Sequence, residues 1–104
     1  MLAKKYKLPI QDFLSKKPVH TKHSAFFVLK KFMTSLSYSR FGIIISAKIF
    51  KKAVDRNKTR RFLFNFLSSR QQQLPTGDYL FILKNSYKDQ LRTEVLIDLE
   101  KLLK

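Results

Sequence analysis

The sequence predicts an α+β sandwich, with helices packed on a sheet, and three observations carry that expectation. Residues 24–32, 40–47 and 78–84 are runs of aromatic and β-branched residues of strand length. Two other stretches, one ending near Arg70 and one covering 88–103, repeat apolar residues at helical intervals. Between them stand Pro18, Pro75 and Gly77, residues that interrupt regular structure.

Taken in order, residues 1–8 read as a loosely ordered basic tail. Pro9 suits the first turn of a short helix, where a missing N–H costs nothing. Ile10, Phe13 and Leu14 give that helix one apolar edge. Pro18 disfavours helix at Lys17, and the linker after it has room for a short strand near Val19. Residues 24–32 (SAFFVLKKF) form the next strand, followed by a turn. Residues 40–47 (RFGIIISA) are apolar enough for the middle of a sheet, and the short connection suggests antiparallel pairing with 24–32.

A helix then runs to about Arg70, with Asp55 a candidate cap near its start. Pro75 and Gly77 mark a turn, residues 78–84 (DYLFILK) a third strand of substantial length. The last helix covers roughly 88–103, with Leu91, Val95, Leu99 and Leu102 along one side. The predicted order is therefore αβββαβα, in one domain spanning residues 1–104.

Charge is the other informative feature. The 104 residues carry 22 Lys and Arg against seven acids, a formal balance of +15. Residues 1–77 hold 17 of the cations against Asp12 and Asp55, whereas residues 78–104 hold five of each sign and balance to zero. One basic surface and a neutral C-terminal element follow, with nucleic acid the favoured partner over anionic lipid. No cysteine is present, so disulfides and thiolate metal sites are excluded. No apolar run reaches the roughly 20 residues needed to span a bilayer. The segment MLAKKYKLPIQDF lacks the apolar core of a signal peptide, and a cytoplasmic protein is expected.

The charge concentrates in residues 48–61, KIFKKAVDRNKTRR. Lys48, Lys51, Lys52, Arg56, Lys58, Arg60 and Arg61 stand there against Asp55 alone. Turned at 100° per residue, Thr59, Phe62, Leu63, Phe66 and Leu67 fall on one side of a helix. Arg56, Asn57, Arg60 and Arg61 fall on the other. Such a helix docks by its apolar side and offers its basic side to a phosphate backbone. Arginine suits that task because its guanidinium can donate two bonds to one phosphate. Phe64 lies towards the basic side, where it could stack on RNA or pack as an extra contact.

His20 and His23 lie in a basic linker with no cysteine and no nearby acid except Asp12, so a zinc site is not expected. The seven carboxylates form no evident cluster of the kind a two-metal nuclease requires. No nucleophile elbow or phosphate-cradling glycine loop is present either. A protein able to cut RNA unaided is therefore not expected.

The stretch KKAVDRNKTRR resembles the signature of the bacterial ribonuclease P protein subunit, with Lys48, Lys52, Ala53, Val54, Arg56, Asn57, Arg60 and Arg61 at matching positions. Further similarities are Asp12-Phe13, Phe27-Val28-Leu29, Arg40-Phe41-Gly42 and Asp78-Tyr79. Lys51 replaces the usual glycine, Lys58 an arginine and Phe64 another arginine.

The resemblance implies a fold like that of ribosomal protein S5 domain 2, with a left-handed βαβ crossover. It implies that ribonuclease P RNA performs Mg²⁺-dependent removal of the 5′ leader from precursor tRNA. The implied RNA-binding residues are Lys48, Lys51, Lys52, Arg56, Asn57, Lys58, Arg60 and Arg61. The implied leader cleft is lined by Phe13, Lys17, Phe27 and Lys30. No catalytic or metal-ligating residue is expected in the protein. It would act as a monomer in the holoenzyme, without a small-molecule substrate or membrane. The competing reading is a ribosomal or RNA-chaperone-type protein without a role in catalysis.

Overall fold

A computed structural model describes residues 6–87 and 91–103. After a 3₁₀ turn at Ile10–Phe13 come β1 (His20–His23), β2 (Phe27–Phe32), β3 (Arg40–Ile44) and helix α1 (Ala53–Arg70). A 3₁₀ turn at Gln71–Gln73 leads to β4 (Asp78–Leu83) and helix α2 (Arg92–Leu102). The result is the expected α+β mixture, with two α-helices among the described residues where three were predicted. The first predicted helix is only the 3₁₀ turn, and Pro9 precedes it rather than entering it. The predicted start of the last helix, at 88–90, lies outside the described residues.

Strand order departs from expectation. The sheet runs β1-β2-β4-β3, with β4 inserted between the two strands expected to pair. It is antiparallel to β2 and parallel to β3, and α1 makes the crossover from β3 to β4. β4 is the strand that needs a central place, because five of its six residues are buried. β3 instead forms an edge, so its expected central position is incorrect. Its apolarity has another cause: the N-terminal segment covers that edge. Lys7 bridges to Phe41, and the Leu8 N–H donates to the Phe41 carbonyl at 2.8 Å. Covering an edge in this way satisfies its backbone and blocks unwanted pairing. Residues 6–8 are therefore not a loose tail; residues 1–5 lie outside the described part.

Strand alternation divides the interior in two. One face presents Phe27, Leu29, Phe41, Ile43, Tyr79, Phe81 and Leu83 to Leu63 and Leu67 of α1 and to Val95, Leu99 and Leu102 of α2. The opposite face joins Phe32 and Leu80 to Leu8 and Phe13, with Ile10, Ile44 and Ile82 alongside. Leu91 is exposed and precedes α2, so the expected apolar stripe begins at Val95. Asp98 is no solvated helix acid: it accepts from Ser24 Oγ at 2.6 Å and from the N–H groups of Ala25 and Phe26. Those bonds fasten α2 to the entrance of β2.

Gly42 is where the second face could fail. A Cβ there would lie 3.1 Å from both Leu8 Cβ and Ile10 Cγ1. Replacement by valine should push the N-terminal segment off β3, at a cost of about 1–3 kcal/mol. Denaturant unfolding should register that loss, and hydrogen exchange should reveal faster exchange of the Leu8 amide. Unchanged exchange would contradict the close approach.

Candidate nucleic-acid interface

The connection from β3 to α1 sorts its residues by chemistry. Ile49 and Phe50 pack against the main core, and both their N–H groups bond to the Ser46 carbonyl. Lys48, Lys51 and Lys52 are left exposed around that anchored turn. No non-glycine residue adopts a positive φ among the described residues, so Lys51 occupies the family's glycine position without backbone strain.

Along α1, Thr59, Leu63 and Leu67 are buried and Phe62 and Phe66 partly so, as the helical spacing predicts. Asn57, Lys58 and Arg61 are exposed, and Arg56 and Arg60 half-buried. Asp55 occupies the first turn but makes no capping hydrogen bond; Lys52 holds the N-cap position. An acid there still interacts favourably with the helix dipole.

The arginines are not equivalent. Arg56 Nη1 donates to the Phe50 and Lys51 carbonyls at 2.8 and 3.0 Å, clamping the helix to its entry turn. Arg60 Nη1 donates to Asn57 Oδ1 at 3.1 Å, which holds that guanidinium along the helix surface. The two ion pairs among the described residues, Arg40–Asp78 and Arg70–Glu100, use none of the cations at 48–61. Phe64 is partly buried against the core, with Lys7 Nζ 5.6 Å from its ring centroid. It is thus a packing residue.

The proposed cleft residues do not all meet. Phe13 is buried on the sheet face away from the helices, in an edge-on contact with Phe32. Lys16 Nζ stands 4.3 Å and the Arg40 guanidinium 5.4 Å from its ring centroid. Lys17 is exposed and Lys30 half-buried. Phe27 is the correction: it is fully buried and packs on the helix side. Strand alternation gives the cleft side Val28 and Lys30, opposite His23 and Thr21 of β1. Sequence spacing could separate the two strand faces but could not tell which one met the helices.

Sequence reasoning also missed the pairing of Arg40 with Asp78. Arg40 Nε and Nη2 donate to the two Asp78 carboxylate oxygens at 2.9 and 2.8 Å, directly beneath Phe13. The arrangement locks the parallel β3–β4 pair at its first rung. The similarities at Arg40-Phe41-Gly42 and Asp78-Tyr79 marked both residues but not their pairing, which depends on the parallel register of β3 and β4.

Among the described residues, no three His, Cys, Asp or Glu side chains converge to hold a metal. Nor is any helix long and apolar enough to cross a membrane.

These features define a small α+β protein whose densest run of positive charge lies on one helix and its entry turn, a surface suited to a polyanion. Comparison with known proteins is specific. The family model described as Ribonuclease P matches residues 11–104. The ribonuclease P protein component of Aliivibrio fischeri is 34% identical over 73 residues, 70% of this chain and 62% of that protein. The chain thus spans about three fifths of that relative's length. The Vibrio parahaemolyticus counterpart is 31% identical over 83 residues, covering 80% of this chain and 70% of its own. A Staphylococcus aureus RNase P protein mutant with defective mRNA degradation activity has the same fold. Its TM-score is 0.81 at 24% identity, over 96% of this chain and 86% of that one. The chain belongs to the ribonuclease P protein family.

Proposed function

We propose that this chain is the protein subunit of a ribonucleoprotein ribonuclease P, binding ribonuclease P RNA and the 5′ leader of precursor tRNA in the cytoplasm. The observation that carries the reading is the basic surface of Lys48, Lys51, Lys52, Lys58, Arg60 and Arg61, outside both ion pairs among the described residues, in a chain of this family. Those side chains neutralise phosphate where the catalytic RNA approaches. Lysines act as point charges, while the arginines can donate two bonds at once. Asn57 orients Arg60 and leaves its own amide N–H groups for a phosphate or ribose oxygen.

The leader runs over the opposite sheet face, past Lys17, Lys30 and the margin of Phe13. Mg²⁺, held by RNA and substrate, would supply Lewis-acid chemistry for strand cleavage. The protein's own contribution is charge neutralisation and positioning.

A leader-length series tests the substrate contact. With the holoenzyme reconstituted on its cognate RNA, affinity for precursor tRNA should rise over the first few leader nucleotides and then level off. Mature tRNA should gain little from the protein. Lys30→Ala should flatten the series by a few-fold at low salt, since it removes one phosphate contact. Equal affinity at every leader length would refute leader binding. Omitting the protein at low Mg²⁺ should abolish most cleavage, and an undiminished rate would refute its role in the reaction.

A further inference from the structure

The sheet face that meets the helices is not closed along its β1 side. A cavity of about 350 Å³ opens there, between β1, β2 and the C-terminal end of α2. Its volume is at the small end of the range for ligand sites, about 300–1,000 Å³. Leu29, Tyr79 and Leu102, all buried, contribute its apolar lining. The Tyr79 hydroxyl donates to the Pro75 carbonyl, which pins the adjoining wall. Three nitrogen-bearing side chains border this apolar surface: His20, Lys22 and Lys31.

The grouping follows from register. His20 pairs with Lys31 and Lys22 with Leu29, so all four side chains share the helix side of the sheet. Lys31 Nζ lies 5.3 Å from the Tyr79 ring centroid, bringing a cation to the edge of the apolar surface. Among the described residues, no carboxylate lines the cavity. An apolar surface that includes the Tyr79 ring, with cations at one margin, matches a nucleotide, whose base is planar and whose phosphates are anionic. Single-stranded RNA is commonly held by that combination. A free mononucleotide would engage the cations with one phosphate only, whereas a strand brings a phosphate on either side of the base.

We propose that this cavity binds one nucleotide of a single-stranded RNA, its base against Leu29, Tyr79 and Leu102 and its flanking phosphates against Lys22, Lys31 and His20. The site lies on the reverse of the sheet from Phe13 and Lys30 and uses none of the cations of α1. It is therefore separate from both contacts described above, and a strand held there is held in addition to them.

Titration of the isotopically labelled full chain, in an Arg60→Ala/Arg61→Ala background, tests the proposal. With a tetra-adenylate ribonucleotide, the amide resonances of Leu29, Lys31, Tyr79 and Leu103 should shift and saturate. Adenosine 5′-monophosphate should bind more weakly, and inorganic phosphate should leave those resonances nearly unmoved. Lys31→Glu should weaken the oligonucleotide by about tenfold at low salt. If that variant does not fold, Lys22→Glu at an exposed position carries the same expectation. Shifts confined to α1 or the Phe13 face would overturn the site. Equal effects from phosphate alone, tighter binding of the mononucleotide, or equal binding of a polyglutamate peptide would overturn the assignment to an RNA strand. Because the cavity uses none of the cations of α1, saturable shifts here would persist even if the chain failed to bind ribonuclease P RNA.

Discussion

Replacing Arg60 and Arg61 together by alanine is expected to weaken the proposed complex with ribonuclease P RNA by one to two orders of magnitude, while the protein stays folded. A hydrogen bond to a charged group contributes about 1.5–3 kcal/mol, and each arginine can supply at least one. The slope of log affinity against log salt should fall by about 1–2, as fewer counterions are released. Arg61 is exposed and Arg60 bonds only to Asn57 within the same helix, so stability should move by no more than about 0.5 kcal/mol. Arg56→Ala is the instructive contrast. It removes two bonds to the Phe50 and Lys51 carbonyls, so its RNA defect would mix lost charge with a loosened entry turn. Superimposable isotherms for wild type and the double variant at three salt concentrations would refute the α1 surface.

The contrast between these arginines marks where sequence reasoning stops. Helical periodicity separates Thr59, Leu63 and Leu67 from Asn57, Lys58 and Arg61, because a helix fixes its faces locally. It cannot separate Arg56 from Arg61, because the partners of Arg56 are backbone carbonyls whose direction depends on the preceding turn. Strand content was legible from β-branched and aromatic runs, but pairing was not. Seven residues separate β2 from β3, and proximity suggested a direct pair. The alternative depends on long-range competition: β4 is apolar on both faces and takes the interior, while β3 has the N-terminal segment to cover its free edge. Phe27 went to the wrong face for a related reason. Alternation gives parity within a strand, and only tertiary packing decides which parity faces the helices.

The largest loss of stability is expected from Arg40→Ala, which strands a carboxylate that is almost entirely buried. The Asp78 side chain is 2% exposed and that of Arg40 21%. Their bidentate hydrogen bonds raise the pKa of Arg40 above its usual value, although burial opposes the shift. Removing one partner of a buried pair costs about 3–5 kcal/mol, much of it the penalty of leaving the other charge without compensation. For a domain of this size, melting should fall by about 15 °C or more. Asp78→Ala should cost less, because the guanidinium left behind can reach water. The order of the two variants is therefore itself a test.

Joint replacement, Arg40→Met with Asp78→Leu, removes both charges and should regain most of the lost stability. Phe13 supplies a second readout, since its ring lies 5.4 Å from the Arg40 guanidinium on the proposed leader side. If the joint variant recovers stability but not the dependence on leader length, Arg40 positions the cleft as well as the sheet. If the two single losses simply add in the joint variant, the pair is not coupled and this account of β3 and β4 is wrong.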